Sequence, residues 1–311
     1  MGKATREAYG EALRELGGRY KDIIVLDADL SKSTKTNVFA KAYPDRFFNV
    51  GIAEQNLIGT AAGLAAAGKI PFVSTFAMFA TGRAYEQVRN SVGYPHLNVK
   101  ICATHAGLTV GEDGATHQAI EDIGLMRGIP GMTVIVPADA TETHQAVAWA
   151  AEYKGPVYIR LGRMAVPDIF GESYRFAPGK AALLAEGADL TIIACGVMVA
   201  PARRAADELT QAGLTARVLN MPTIKPIDSA AIIKAARDTG AVVTCEEHTV
   251  IGGLGSAVAE VLGENAPVPM ERVGILDTFG ESGTPDALLA KYNLTVADIV
   301  RAAKRVVERK P

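Results

Sequence analysis

Short apolar runs rich in β-branched residues alternate along the chain with alanine-rich segments of helical spacing. The runs 22–28 (DIIVLDA), 70–75 (IPFVST), 98–104 (NVKICAT), 132–139 (MTVIVPAD) and 156–161 (PVYIRL) predict strands. The segments 3–17, 53–67, 80–92, 117–128 and 140–153 predict helices. The strand runs are apolar throughout rather than alternating, as for strands covered on both faces. Periodicity stops over 164–178 (MAVPDIFGESYRFAP), which is rich in Pro, Gly and aromatic residues. It then restarts, with strands predicted at 189–196, 215–222 and 241–247 and helices at 199–212, 228–238, 253–263 and 295–309. This is the pattern of α/β crossovers. The fold class read from it is α/β, two α/β domains with mostly parallel sheets, over 1–170 and 189–311, joined by a linker at 171–188.

Composition adds limits. Hydrophobic residues make up 49% of the 311 positions and charged residues 21%, with a net charge of −2. Nothing in that balance draws the chain to nucleic acid or an anionic membrane. The longest apolar stretches fall short of the ~18–20 residues that span a bilayer. The N-terminal residues lack the apolar run of a signal peptide. Cys102, Cys195 and Cys245 each lie in or beside an apolar run, which suits small buried hydrophobes in a reducing, cytoplasmic setting.

In open α/β sheets, ligand groups gather at the carboxyl ends of the strands. The polar residues that follow the predicted strands are Asp29 and Ser33, then His105, Asp113 and His117, then Arg163, with Glu54 beginning the helix at 53–67. Glu54 opens a segment of small apolar residues. It either complements the helix dipole or stands in a dry pocket where its pKa rises and it can share a proton. Phe76, Phe79 and Tyr85 form either a core stripe or an apolar slot for a protonatable aromatic ring. Metal readings are weak: Cys102 and His105 have a CxxH spacing without a second pair, so no metal ligands are assigned. Gly252, Gly253 and Gly255 lack the GxGxxG spacing and read as close backbone packing. No GxSxG nucleophile elbow occurs.

The stretches ADLSKS (28–33), NVGIAEQN (49–56), STFAMF (74–79), HAGLTVGEDGATHQ (105–118), IRLGR (159–163), TIKPID (223–228) and EEHTVIGGLGSAVAE (246–260) occur in this order. Together they resemble the C-terminal part of transketolases, over essentially the whole chain. The resemblance implies a thiamine-diphosphate-dependent enzyme that moves a two-carbon ketol unit between sugar phosphates. It implies a pyrimidine-binding domain followed by a transketolase C-terminal domain. The GDG motif that holds the cofactor's metal in that family is absent. Mg2+ or Ca2+ and the diphosphate would therefore lie on an N-terminal partner subunit, in an α2β2 assembly. The start, MGKATREAYGEAL, is that expected of a separate subunit.

Carried over to this sequence, the resemblance makes Glu54, His105 and His117 catalytic. Glu54, Phe76, Phe79, Asp29 and Tyr85 would bind the cofactor. Arg6, Ser33, His105, Asp113, His117 and Arg163 would bind substrate. Gly82 stands where many members have an aromatic residue. Deoxyxylulose-phosphate synthases, whose helix start is echoed by Arg83-Ala84-Tyr85, the β chains of 2-oxo acid dehydrogenases, and a non-catalytic scaffold partner are the alternatives.

Overall fold

A computed structural model describes residues 2–310. Its strands are β1 (Ile23–Asp27), β2 (Phe47–Asn49), β3 (Ile70–Ser74), β4 (Lys100–Ala103), β5 (Thr133–Ile135), β6 (Val157–Arg160), β7 (Ala182–Ala185), β8 (Leu190–Ala194), β9 (Ala216–Asn220), β10 (Thr223–Lys225), β11 (Val242–Thr249) and β12 (Met270–Ile275). They form a seven-stranded sheet in the order β10-β5-β6-β4-β3-β1-β2 and a five-stranded sheet in the order β12-β11-β8-β9-β7. All neighbours are parallel except β10 against β5 and β7 against β9. The fully buried strands β1, β4, β6 and β8 are the continuous apolar runs of the sequence, because helices cover both of their faces.

The structure departs from the sequence reading where tertiary contacts dominate. The stretch 171–188, read as a linker, contains β7, an antiparallel edge of the second sheet. The irregular residues before it are fastened to helix Ala140–Glu152. Asp139 accepts the Ile169 and Phe170 amides at 2.8 Å, and Gln145 accepts that of Phe176 at 2.7 Å. In return, β10 reaches from the second half of the chain to the first sheet, and one apolar core includes both Val136 and Met221.

The helix predicted at 117–128 shortens to Asp122–Arg127. Gln118 is spent on the carbonyls of Leu108, Gly111 and Glu281, and Ala119 pairs with Ala106. The helix predicted at 80–92 becomes two wide π-helical turns, Phe79–Arg83 and Val88–Gly93, around a single turn, Tyr85–Gln87. In the first, the Ala84 amide bonds to the carbonyl of Phe79, five residues back. Such turns recur at functional sites. Helix Glu54–Ala66 buries Leu57, Ile58, Ala61 and Ala62, but Gly59, Thr60 and Gly63 are open to solvent.

Glu142 ties several of these parts together. Its carboxylate accepts the Ala138 amide and the Asn220 side chain at 2.7 Å, and also the Tyr174 hydroxyl. Burial raises it to about 7 from 4.5, against the pull of those donors. The folded chain keeps this proton between those values while the unfolded chain has released it. The group's stabilising contribution is thus full below about pH 4.5 and is lost as pH rises through about 7. Glu142→Gln should flatten the corresponding fall in unfolding free energy in urea titrations. An unchanged slope in the variant would show that another group is responsible.

Candidate active site

The strand order β6-β4-β3-β1 sets four carboxyl ends side by side. Arg163 follows β6, His105 follows β4, Phe76 follows β3, and Asp29 and Ser33 follow β1. Residues far apart in sequence thus share one rim, as the open-sheet rule requires. Backbone geometry aids this, since Asp29 and His105 both adopt left-handed φ, 62° and 56°. At the rim lies a cavity of about 480 Å3, lined by Ala28, Asp29, Leu30, Ile52, Glu54, Phe79, Arg83, Thr116 and His117.

Glu54 is 2% exposed at the first turn of its helix. Its carboxylate has a partner there, because Arg83 donates to it at 2.9 Å. The same guanidinium lies over the Phe79 ring, 4.5 Å from its centroid. Phe79 stacks on Phe76 at 5.8 Å, and Phe76 stacks on the His105 ring at 3.9 Å. His117 meets Phe79 edge-on at 5.4 Å. A row of flat groups therefore runs from Arg83 to His105. Phe76 is buried inside that row, whereas Phe79 lines the cavity. Tyr85 is away from the cavity wall and packs, partly buried, against the core.

The far end of the row is cationic. Arg6 donates to His105 Nε2 at 3.2 Å and to the Ser33 carbonyl at 2.9 Å. Ser33 thus enters through its backbone. Since Arg6 can only donate, Nε2 is the unprotonated nitrogen, and Nδ1 carries the hydrogen toward Thr104 Oγ1 at 2.8 Å. Burial, then Arg6, Arg163, His117 and Lys35, lower His105 to about 3. Among the described residues, Arg6 Nε is buried without a partner. Cations crowded around a neutral imidazole, with a spare buried donor, are complementary to an anion. Arg163 is also held by the Val110 carbonyl and lies 3.7 Å from Glu112.

On the loop 111–118, His117 and Thr116 line the cavity, while Asp113 is exposed and does not. Ala28, Leu30, Ile52, Arg83 and Thr116 line the cavity but were missed as site residues in the sequence. Arg83 stood in view within RAY, but its pairing with Glu54 spans 29 positions and follows only from packing. The three cysteines are free and buried, and burial pushes the Cys102 thiol up to about 12. Among the described residues, no group of three or more His, Cys, Asp or Glu could hold a metal ion. None of their helices is long and apolar enough to cross a membrane.

Comparison with known proteins identifies the family. The family model "Transketolase, pyrimidine binding domain" matches residues 1–168, and "Transketolase, C-terminal domain" matches residues 179–299. The chain is 49% identical to a 6-deoxy-6-sulfo-D-fructose transketolase subunit of Clostridium sp. (strain MSTE9), over 98% of this chain and 95% of that one. It is 42% identical to an apulose-4-phosphate transketolase subunit of Phocaeicola vulgatus, over 98% of both. A solved split-gene transketolase, described as an inactive beta4 tetramer, superposes with a TM-score of 0.94 at 60% identity, over 100% of both chains.

His105 should stay neutral down to about pH 4, its value being near 3. Its ring resonances, followed by NMR in the isolated chain, should not titrate between about pH 8 and about pH 5. A midpoint near the ordinary histidine value would overturn the assignment. The folded-state value lies below the unfolded one, so His105 lowers stability as pH falls from 6.5 toward about 3.

Proposed function

Because the chain belongs to the transketolase family, as a pyrimidine-binding domain followed by a C-terminal domain, we propose that it is the substrate-side subunit of a split, thiamine-diphosphate-dependent transketolase. It transfers a two-carbon ketol unit between ketose and aldose phosphates together with a separate chain. That partner holds the cofactor's diphosphate and its Mg2+ or Ca2+, in an α2β2 assembly. The observation that supports this most directly is the position of Arg83. A guanidinium is a planar amidinium cation, here stacked over Phe79 and hydrogen-bonded to Glu54. Those are the two kinds of contact, one to the ring face and one to a ring nitrogen, that a protonatable aminopyrimidine needs. The Arg83 side chain is 50% exposed, so it is free to turn outward and leave both to the ring.

When bound, thiamine diphosphate supplies the nucleophilic carbon that takes up the ketol unit. This chain's residues supply position and proton control. Glu54 accepts from the ring nitrogen and keeps a proton on it. Phe79, backed by Phe76, holds the ring face, and Asp29 closes the rim. Arg6 and Arg163 bind the terminal anion of the sugar, with the Ser33 carbonyl and the unprotonated Nε2 of His105 holding Arg6 in place. Asp113 and His117, on the loop above, face the sugar hydroxyls.

The two named relatives act on a sulfonated ketose and on a ketose phosphate. An anionic terminus is common to both, which agrees with the cationic end of the row. The open face of helix Glu54–Ala66, with Ile52 78% exposed beside the cavity, suits a docking partner. The inactivity of the related beta4 assembly agrees with the need for one.

The test is reconstitution with the chain that carries the diphosphate-binding domain, in thiamine diphosphate and Mg2+. Ketol transfer should require both chains, and full activity from this chain alone would sink the split-subunit reading. In the active pair, Glu54→Gln should lower kcat by about 10²–10⁴-fold, the range for a lost proton-transfer group, with little change in Tm. Near-normal turnover would refute the role given to Glu54. Pyruvate is the discriminating donor, since the deoxyxylulose-phosphate synthase alternative would use it.

A further inference from the structure

The loop 107–118 bears the sugar-facing residues, yet several of its ties come from the second half of the chain. Its stem is closed by the Gly107 amide on the Ala119 carbonyl, at 2.8 Å, and by the Ala106–Ala119 bridge. Beneath it lies Glu247, on β11, buried at 3% exposure. Glu247 Oε1 accepts the Thr109 amide at 2.6 Å. The carboxyl sits so close under Gly107 that a Cβ there would stand 2.3 Å from its carbon, and Gly107 has φ +82°. No side chain fits at position 107 while Glu247 occupies that place. On the solvent side, Ser282 donates to the Glu112 carbonyl at 2.7 Å, and the Glu281 carbonyl accepts from Gln118 at 2.9 Å. The other carboxylate oxygen of Glu247 lies 3.7 Å from Arg160, which also donates to the Glu247 and Ala119 carbonyls. Glu247 therefore spans a fixed point in the core and the backbone of the loop.

We propose that Glu247, assisted by Ser282, is a positioning residue of the sugar site: it fixes the 107–118 loop and, through it, His105, Asp113 and His117. The proposal rests on the transketolase reading and gives the C-terminal domain a part in substrate recognition. A carboxylate suits this place for two reasons. It balances Arg160, and it reaches the amide of Thr109 from the floor of the loop. The ketol-transfer step occurs near Glu54 and Phe79, outside the reach of Glu247. Its loss should affect donors with a long, anionic sugar chain and spare a donor that carries little more than the ketol unit.

Two substitutions separate the functions of this carboxylate. Glu247→Asp keeps the charge against Arg160 but is one methylene too short for Thr109. Glu247→Gln keeps the reach and an acceptor oxygen. In the reconstituted two-chain enzyme, Glu247→Asp should raise KM for a ketose phosphate about tenfold, while kcat/KM for β-hydroxypyruvate stays within about threefold of wild type. Glu247→Gln should restore the ketose-phosphate KM to within about threefold. Ser282→Ala, exposed and outside the ion cluster, should raise the same KM by about threefold. Equal losses on both donors, or an unchanged KM in both Glu247→Asp and Ser282→Ala, would overturn the proposal.

Hydrogen exchange in the isolated chain decides the matter without activity. The amides of 108–118 should exchange about tenfold faster in Glu247→Asp than in wild type or Glu247→Gln, and equal rates would also overturn it. If the wild-type pair shows no ketol transfer, the transketolase reading fails, and the exchange result still tells whether Glu247 fixes the loop.

Discussion

The neutralisation of Arg160 underlies the joining of the two sheets. Its guanidinium is buried at the end of β6, with Asp122 at 2.8 Å and the Glu247 carboxylate at 3.7 Å. Tyr158 donates to the same Asp122 oxygen at 2.6 Å. Burial pulls its pKa down, but Asp122 and Glu247 more than offset this and hold it above the usual arginine value. A buried ion cluster of this kind is weak support for net stability, yet removing one member strands the rest at a cost on the order of 3–5 kcal/mol. Asp122 and Arg160 come from the first sheet's layers and Glu247 from the second. The two halves can therefore meet in one register, and the loop between them inherits it.

The neighbouring carboxylate, Glu246, also requires a glycine beside it. A Cβ on Gly253 would stand 2.1 Å from Glu246 Oε2, which accepts the Leu254 amide at 2.7 Å. Glu246 thereby serves the first turn of helix Leu254–Asn265, where a carboxylate meets unpaired amides and the positive end of the helix dipole. Three consecutive polar residues, Glu246, Glu247 and His248, are buried in a domain boundary because each has a defined backbone or charged partner. At the cavity, charge is divided differently. One end of the aromatic row has a carboxylate satisfied by a half-exposed arginine, and the other has cations around a neutral histidine.

Much of this was legible in the order of residues. The runs that became β1, β3, β4, β5, β6, β8, β9 and β11 are apolar enough to identify themselves, as strands covered on both faces must be. The helices at 54–66, 140–152, 199–211 and 296–308 follow from periodicity. Edge strands were the chief omission. β2 and β12 are partly exposed, and β7 and β10 are short antiparallel additions, so none needs a continuous apolar run. The shortened helix at 122–127 was misread because Gln118 and Ala119 satisfy distant backbone groups rather than the next helical turn.

For the site, the sequence by itself determined which residue types reach the rim. Asp29, Ser33, Phe76, His105 and Arg163 follow strands, and parallel strands deliver their ends to one side. Only the tertiary structure decided how these residues divide the work. It set Phe79 rather than Phe76 or Tyr85 on the cavity wall, paired Glu54 with Arg83, and used Ser33 through its carbonyl. It also put Glu247 beneath a loop 138 positions away. The physical reason is range. Strand and helix identity is written in the spacing of neighbouring residues, whereas a hydrogen bond or ion pair between remote segments depends on where the packed core leaves each side chain.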